Sequence, residues 1–287
     1  MQTPVVIFAY NRPKHLEKVL AGLLSNKKAS SLKVVVYSDF PKKSEDRDAV
    51  NGVRSLLDQT CGFGSLSIVK RSKNFGLANS IIDGVTMILN EFDSAIILED
   101  DVVPCSFFLD YMTDSMQKYR NHQAVGSVHA YSFPVLEILP ETFFLRGADC
   151  WGWGTWKRSW KLFNACGLDL LQQLEAQNLC NAFDLNGSAP YSQMLRDQIA
   201  GKVDSWAIRW HASMFLAKKL CLYPGRSLVE NIGMDKSGVH CGFDDRFDVS
   251  LSSQPVRVKD IEIEESQLAK RAISSFYLSG RSFQGKL

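Results

Sequence analysis

Three carboxylates stand side by side at Glu99, Asp100 and Asp101, directly after the apolar run Ile96, Ile97, Leu98. A short run of this kind reads as a strand buried on both faces. In an open parallel sheet the carboxyl ends of such strands open onto the ligand crevice, so the acids should stand at its rim. Adjacent carboxylates repel one another unless a cation neutralises them. A hard divalent metal that keeps some waters and shares diphosphate oxygens would meet that need. The competing reading is a solvated acidic turn.

Other groups able to do chemistry are spread along the chain. Arg12 follows the first apolar run and Asp39 ends the second, giving a cation and another carboxylate at predicted strand ends. Asp204 precedes Trp206 and an apolar helical stretch, where it serves either as a helix cap or as a catalytic carboxylate. Glu230 follows a further predicted strand and is the alternative base. A loop with glycines, Ser237 and His240 can close over a diphosphate, or His240 can supply a metal nitrogen. Residues 146–160 hold four of the six tryptophans, interleaved with glycines. A Gly-Trp-Gly turn lets an indole face approach a flat ligand such as a sugar ring, which singles out Trp151 and Trp153. Trp156 and Trp160 read instead as packed residues of a core helix beginning at Thr155.

The elements that must position these groups alternate. Strands are expected at 5–9, 33–37, 66–69 and 96–98, each of the first three followed by a stretch with apolar residues at helical spacing. Asn11 can cap the first helix and Pro13 suits its first turn. A helix over 107–119, a strand over 124–130, a helical and locally polar stretch over 168–200, a helix over 207–220 and a strand over 222–228 follow, with a short amphipathic helix over 267–277. The pattern predicts an α/β fold with a doubly wound, mostly parallel sheet whose ligand site lies where Arg12, Asp39 and residues 99–101 converge.

Composition narrows the function classes. The 287 residues are 45% hydrophobic, enough for a substantial core, and the net charge of +2 comes without a block of like charge, which speaks against nucleic acid as a partner. The seven cysteines are scattered with no C-x-x-C pair and read as reduced thiols of a cytoplasmic protein. No apolar run reaches the ~18 residues of a membrane span, and residues 4–10 are too short and too poorly flanked for a signal peptide. Neither G-x-G-x-x-G after the first strand nor G-x-x-x-x-G-K-[ST] occurs, so phosphates must be handled by metal and side chains.

In their order, Tyr10-Asn11-Arg12, Ser38-Asp39, residues 96–101 with Phe107-Phe108, Gly152-Trp153-Gly154, Asp204-Ser205-Trp206 and Ser237-Gly238-Val239-His240 resemble the pieces of a GT-A fold nucleotide-sugar glycosyltransferase. The resemblance is to the N-acetylglucosaminyltransferase I family and its bacterial relatives. Residues 74–80 also resemble the corresponding segment of the bacterial family 2 type transferases. The resemblance runs from about residue 4 to 245. It implies a nucleotide-sugar-binding half over 1–130, an acceptor and catalytic half of the same domain over 131–250, forming a smaller acceptor-side lobe, and a tail over 251–287.

By the same resemblance Arg12 and Asp39 hold the nucleoside, with Tyr10 and Asn79 on the donor side, Glu99 and Asp100 contact ribose or donor sugar, and Asp101 ligates Mn2+ or Mg2+. Asp204 would be the base. Trp151 and Trp153 stand where the eukaryotic family has other residues, and Cys241 follows His240. The implied reaction is transfer of a sugar from a nucleotide-diphosphate donor, UDP favoured, to a glycan or lipid-linked saccharide in bacterial surface polysaccharide synthesis. It is a direct, inverting displacement, with a retaining route if no base lies across the sugar from the metal. The setting is the cytoplasm, with peripheral association at the inner membrane face as an added expectation. A sugar-1-phosphate nucleotidyltransferase is the rival enzyme, though a glycine-rich basic loop should then follow the first strand. A noncatalytic carbohydrate-binding protein would explain the tryptophans but not acids at several strand ends.

Overall fold

The computed structural model describes residues 3–235 and 245–284. Strand β1 (Val5–Ala9), helix α1 (Pro13–Leu24), β2 (Lys33–Ser38), α2 (Arg47–Gln59), β3 (Ser65–Lys70), α3 (Leu77–Glu91) and β4 (Ser94–Glu99) alternate as expected. Then come β5 (Val102–Pro104), α4 (Phe108–Lys118), β6 (Val125–His129), β7 (Thr142–Arg146), β8 (Trp153–Trp156) and α5 (Lys157–Trp160). Helices α6 (Gly167–Ala176), α7 (Cys180–Phe183), α8 (Tyr191–Ile199) and α9 (Trp206–Leu216), strands β9 (Leu220–Pro224) and β10 (Val229–Asn231), and helix α10 (Gln267–Gln284) complete the chain.

Eight strands form one sheet in the order β3-β2-β1-β4-β8-β6-β9-β7. Strands β1 to β4 pair parallel, β6 pairs parallel with β9, and β8 lies antiparallel between β4 and β6. Six strands therefore run one way, and β7 and β8 run the other. The result is a mixed, mostly parallel α/β sheet flanked by helices.

Both sheet faces are covered, which is why the central strands carry unbroken apolar runs instead of an alternation. Val5, Ile7, Ile96 and Leu98 point into a cluster with α1, α2 and α4, whereas Val6, Phe8, Ala95 and Ile97 point into one with α3 and α9. The period-two geometry of β4 puts Glu99 on the side of Ala95 and Ile97, towards α9. A third apolar cluster joins α6, α7 and α8 to α9 around Leu174, Phe183 and Leu195.

Several sequence expectations change. The helix foreseen from Thr155 is replaced by β8, because residues 153–156 pair with β4 on one side and β6 on the other. Gly154 is needed there, since a Cβ would come within 2.8 Å of the Met116 sulfur. Trp153 is fully buried and stacks on Trp206 at 5.2 Å, with Trp160 and Trp210 at 6.0 and 5.6 Å. It has no face for a ligand, so its assignment to acceptor binding is corrected: it is a core residue. Trp156 and Trp160 are buried as expected. The strand placed at 222–228 starts earlier, at Leu220, and ends at Pro224 before a separate β10. Arg12, not Asn11, occupies the cap position of α1, with Pro13 in the first turn.

Candidate active-site rim at the carboxyl end of the sheet

Glu99 ends β4, and Asp100 and Asp101 form the turn into β5. The first strand delivers a cation to them. Pro13 starts α1 immediately after Arg12, so the arginine leaves the sheet at the same rim, and its Nη2 donates to Asp100 and lies 2.9 Å from the Asp101 carboxylate. The Tyr10 backbone N–H also donates to Asp100, at 3.0 Å. Asp100 is only 3% exposed, so this pairing meets a charge that would otherwise be costly to bury. Loss of hydration raises the Asp100 pKa, and Asp101 pushes the same way against the opposing pull of Arg12. For Arg12, burial alone would lower the pKa, but the two acids more than reverse it.

Glu99 points to the opposite side of the turn. Its carboxyl is pushed up to about 8, first by burial and then by Asp101 and Asp100, while Arg12 and the nearby Trp206 indole work against the rise. Trp206 is held by the indole stack described above. Burying such side chains contributes roughly 1.5–3 kcal/mol each, which anchors the start of α9 over β4. Sequence reasoning counted Trp206 within a motif and missed this contact. Its signal was the alternation that sends Glu99 towards α9.

Asp39 directly follows β2 and is 6% exposed. Its carboxylate accepts the backbone N–H groups of Phe40, Phe75 and Gly76, at 2.8, 3.0 and 3.1 Å, and so pins the loop that leads into α3. This load is structural, and a nucleoside would share the carboxylate with three backbone donors. Asn79 is exposed on α3 and donates to the Phe75 carbonyl at 3.1 Å. The Tyr10 hydroxyl donates to Asp46 at 2.7 Å and accepts from the Lys42 N–H at 2.8 Å, and Asn11 also donates to Asp46, at 3.0 Å. Burial and the bond to Asp46 push the Tyr10 phenol up to about 12. Asp46 thus closes the loop after β2 onto β1, a role not read from the charged stretch around it.

The other side of the rim is built by β10, which pairs antiparallel with β5 and puts Glu230 opposite Val103. The Ile232 N–H donates to the Asp101 carbonyl at 2.9 Å. Gly233 then passes so close that a Cβ would lie 2.0 Å from an Asp101 carboxylate oxygen and 3.1 Å from Arg12 Nη1. Glu230, Asn231, Ile232 and Asp235 line a cleft of about 350 Å³ with Phe247 and Asp248. A larger cleft of about 650 Å³, lined by Ser132, Phe133, Arg226 and residues 248–254, lacks Glu230 and Asp235 but shares Asp248 and Val249 with the smaller one. The smaller cleft adjoins the acidic rim through Ile232.

Asp204 is exposed and pairs with Arg209 at 3.4 Å. The cap of α9 is the next residue, Ser205, whose hydroxyl accepts from the Ile208 N–H at 3.3 Å. The expected capping role of Asp204 is corrected accordingly, and its carboxylate stands two residues from Trp206. Trp151 is partly exposed and meets Tyr131 and Phe247 edge-on at 4.7 and 5.7 Å. Ser237 and His240 lie outside the described residues.

The acidic turn is neither a bare metal cage nor a solvated loop, because Arg12 supplies the neutralising charge. No group of three histidine, cysteine, aspartate or glutamate side chains suited to a metal ion occurs among the described residues. With Arg12 already on both Asp100 and Asp101, this donor set does not fit a divalent cation. No helix among the described residues is long and apolar enough to cross a membrane.

No family model matches the chain, and no curated protein matches it. Among solved structures, the crystal structure of S. aureus TarS aligns at 12% identity and a TM-score of 0.36, over 55% of this chain and 28% of that one. TarS 1-349 aligns at 11% identity and a TM-score of 0.37, and TarS 1-349 in complex with UDP at 13% and 0.36. Each of these two covers 55% of this chain and 47% of the other. This chain thus spans less than half of the structures it resembles, and superpositions this loose leave the site to be read from its own residues.

Proposed function

We propose that the protein is a glycosyltransferase that moves a sugar from a nucleotide-diphosphate donor, a UDP-sugar favoured, to a saccharide or lipid-linked acceptor. The observation that carries this reading is the convergence of Arg12, Glu99, Asp100 and Asp101 at one sheet rim, under the start of α9 and beside the Glu230 cleft. In an open α/β sheet this rim is where ligands bind. The long strand-end loops that Asp39 and Asp46 tie down would frame the nucleoside between β1 and β2.

In the proposed step an acceptor hydroxyl attacks the anomeric carbon, the bond from that carbon to the diphosphate breaks, and its electron pair leaves with the nucleoside diphosphate. A carboxylate takes the hydroxyl proton. Asp204 is the proposed base, because it is exposed at the head of the helix whose Trp206 touches Glu99, and Glu230 is the alternative from the cleft. Arg12 is held at this rim by Asp100 and Asp101. Trp151 remains the candidate acceptor platform. Incubation with a panel of sugar nucleotides and saccharide acceptors, read as release of nucleoside diphosphate, tests the proposal. Release that depends on acceptor supports it; formation of a sugar nucleotide from sugar phosphate and a nucleoside triphosphate would indicate the rival nucleotidyltransferase.

A further inference from the structure

Strands β7 and β8 run the same way, so the chain between them, residues 147–152, must return across a face of the sheet. His211 of α9 meets the Ala148 carbonyl, which puts that return on the α9 side. Its far end is held by His129, whose Nε2 accepts the Trp151 N–H at 3.1 Å. Burial lowers the pKa of both histidines, so each holds the backbone as a neutral ring. Asp149 lies between these two holds.

The Asp149 carboxylate carries fewer bonds than it can accept. It is partly exposed, and it takes the Cys150 N–H at 2.9 Å and, weakly, the Tyr223 hydroxyl at 3.5 Å. An ionised carboxyl offers about four acceptor positions, so about half remain open. An open donor stands near it. Tyr191 of α8 donates to the Tyr277 hydroxyl of α10 at 3.2 Å, and the Tyr277 hydrogen has no acceptor among the described residues. Burial raises the pKa of both phenols, and the Asp149 charge pushes the same way on each. Carboxylate and phenol are thus close enough to interact yet share no hydrogen bond, which leaves both open to a third group.

Open lone pairs, an open hydroxyl and an aromatic wall are what a sugar ring uses. Adjacent sugar hydroxyls donate to the carboxylate, another oxygen accepts from the phenol, and the apolar ring face packs on an aromatic side chain. The wall is present: Tyr277 lies 6.4 Å from Phe247, whose ring meets Trp151 at 5.7 Å, and Phe247 also lines the Glu230 cleft. Asp149 and Tyr277 therefore adjoin that cleft across Phe247.

We propose that Asp149, Tyr277 and Trp151 form a separate saccharide subsite, which takes an uncharged sugar unit through its adjacent hydroxyls while the neighbouring unit of the same chain lies in the Glu230 cleft. The ligand class is an oligosaccharide, uncharged at this unit because an acidic sugar would set its charge against Asp149. That this oligosaccharide is the acceptor rests on the transferase reading; its binding does not.

The test is ligand-observed NMR on the full chain with chitotriose, cellotriose and maltotriose, and with glucose, all without donor. The wild type is expected to bind at least one trisaccharide, and to bind it more tightly than glucose. Asp149→Asn should weaken that binding about tenfold and Tyr277→Phe about fivefold, the losses for a hydrogen bond to a charged and to a neutral group. Melting temperatures should stay close to that of the wild type, because neither replacement changes the side-chain shape. Unchanged binding in both variants, or no trisaccharide binding to the wild type, overturns the proposal. Weaker binding that comes only with a large fall in melting temperature also overturns it, by making the cluster a structural polar network. No donor is present, so failure here leaves the transferase reading standing, and a failed nucleotide-release assay leaves this binding intact.

Discussion

The Arg12 guanidinium lies 2.9 Å from the Asp101 carboxylate while also donating to Asp100, so one side chain from β1 neutralises two acids 88 and 89 positions later in the chain. Both acids are buried or nearly so, and Arg12 is itself only 18% exposed. Removing one partner of a buried ionic cluster is costly because it strands the rest.

Arg12→Ala should therefore lower stability by about 3–5 kcal/mol, the range for an uncompensated buried charge. It should also leave two carboxylates free to share another cation. Manganese is then expected to raise the melting temperature of the variant more than that of the wild type. Urea unfolding and melting curves with and without the metal read both effects; equal stability and equal metal response would show that Arg12 is not the internal counter-ion.

Asp39→Asn should destabilise the protein by about 1–3 kcal/mol, because an amide oxygen cannot serve the three backbone donors that the carboxylate now accepts. The loss should be local at first. Amide exchange at Phe75 and Gly76 is expected to quicken ahead of the strand amides, and unchanged exchange at those two positions would remove the pinning role.

The raised Glu99 pKa makes stability depend on pH in a stated direction. The folded protein holds the Glu99 proton up to about 8, whereas a free glutamate releases it near 4.5. The folded state thus binds more protons between those values, and the Glu99 contribution, full below pH 4.5, is lost as pH rises through 8. Glu99→Gln, which stays neutral, should flatten that decline in a plot of unfolding free energy against pH. A variant with the same slope as the wild type would place the titration elsewhere.

Trp153→Ala should cost about 3–5 kcal/mol through the cavity it leaves among three indoles. Trp151→Ala removes a partly exposed ring and should cost less stability while weakening acceptor binding. Chemical denaturation of both variants settles the order, and a smaller loss for Trp153 would contradict its core placement.

The alternating half of the fold was readable in the sequence because its periodicities are local: β1 to β4 and α1 to α3 fall where apolar runs and helical spacing put them. The rim followed from Ile96 to Leu98 ending in acids. What was not readable depended on distant partners. Nothing near Asp101 signals that Arg12 neutralises it, and nothing near Trp153 signals that β4 and β6 close on both its sides. Four residues of β8 are too few to show a period, so glycine spacing suggested a ligand turn where sheet packing required small residues. At α9 the cap is displaced by one residue, within the reach of any sequence-based boundary, because Ser205 and Asp204 both suit the role.

The central claim, sugar transfer with a carboxylate base at this rim, is tested most directly by the turnover of Asp204→Asn at saturating donor and acceptor, beside Glu230→Gln and the wild type. Asp204 is exposed and does not cap α9, so the substitution should lower the melting temperature only slightly, through its pair with Arg209. Turnover is predicted to fall roughly 10²- to 10⁴-fold with donor binding preserved, because the amide cannot accept the proton. Near-normal turnover for Asp204→Asn with loss in Glu230→Gln would move the base to the cleft, and near-normal turnover in both would contradict a carboxylate base at this rim.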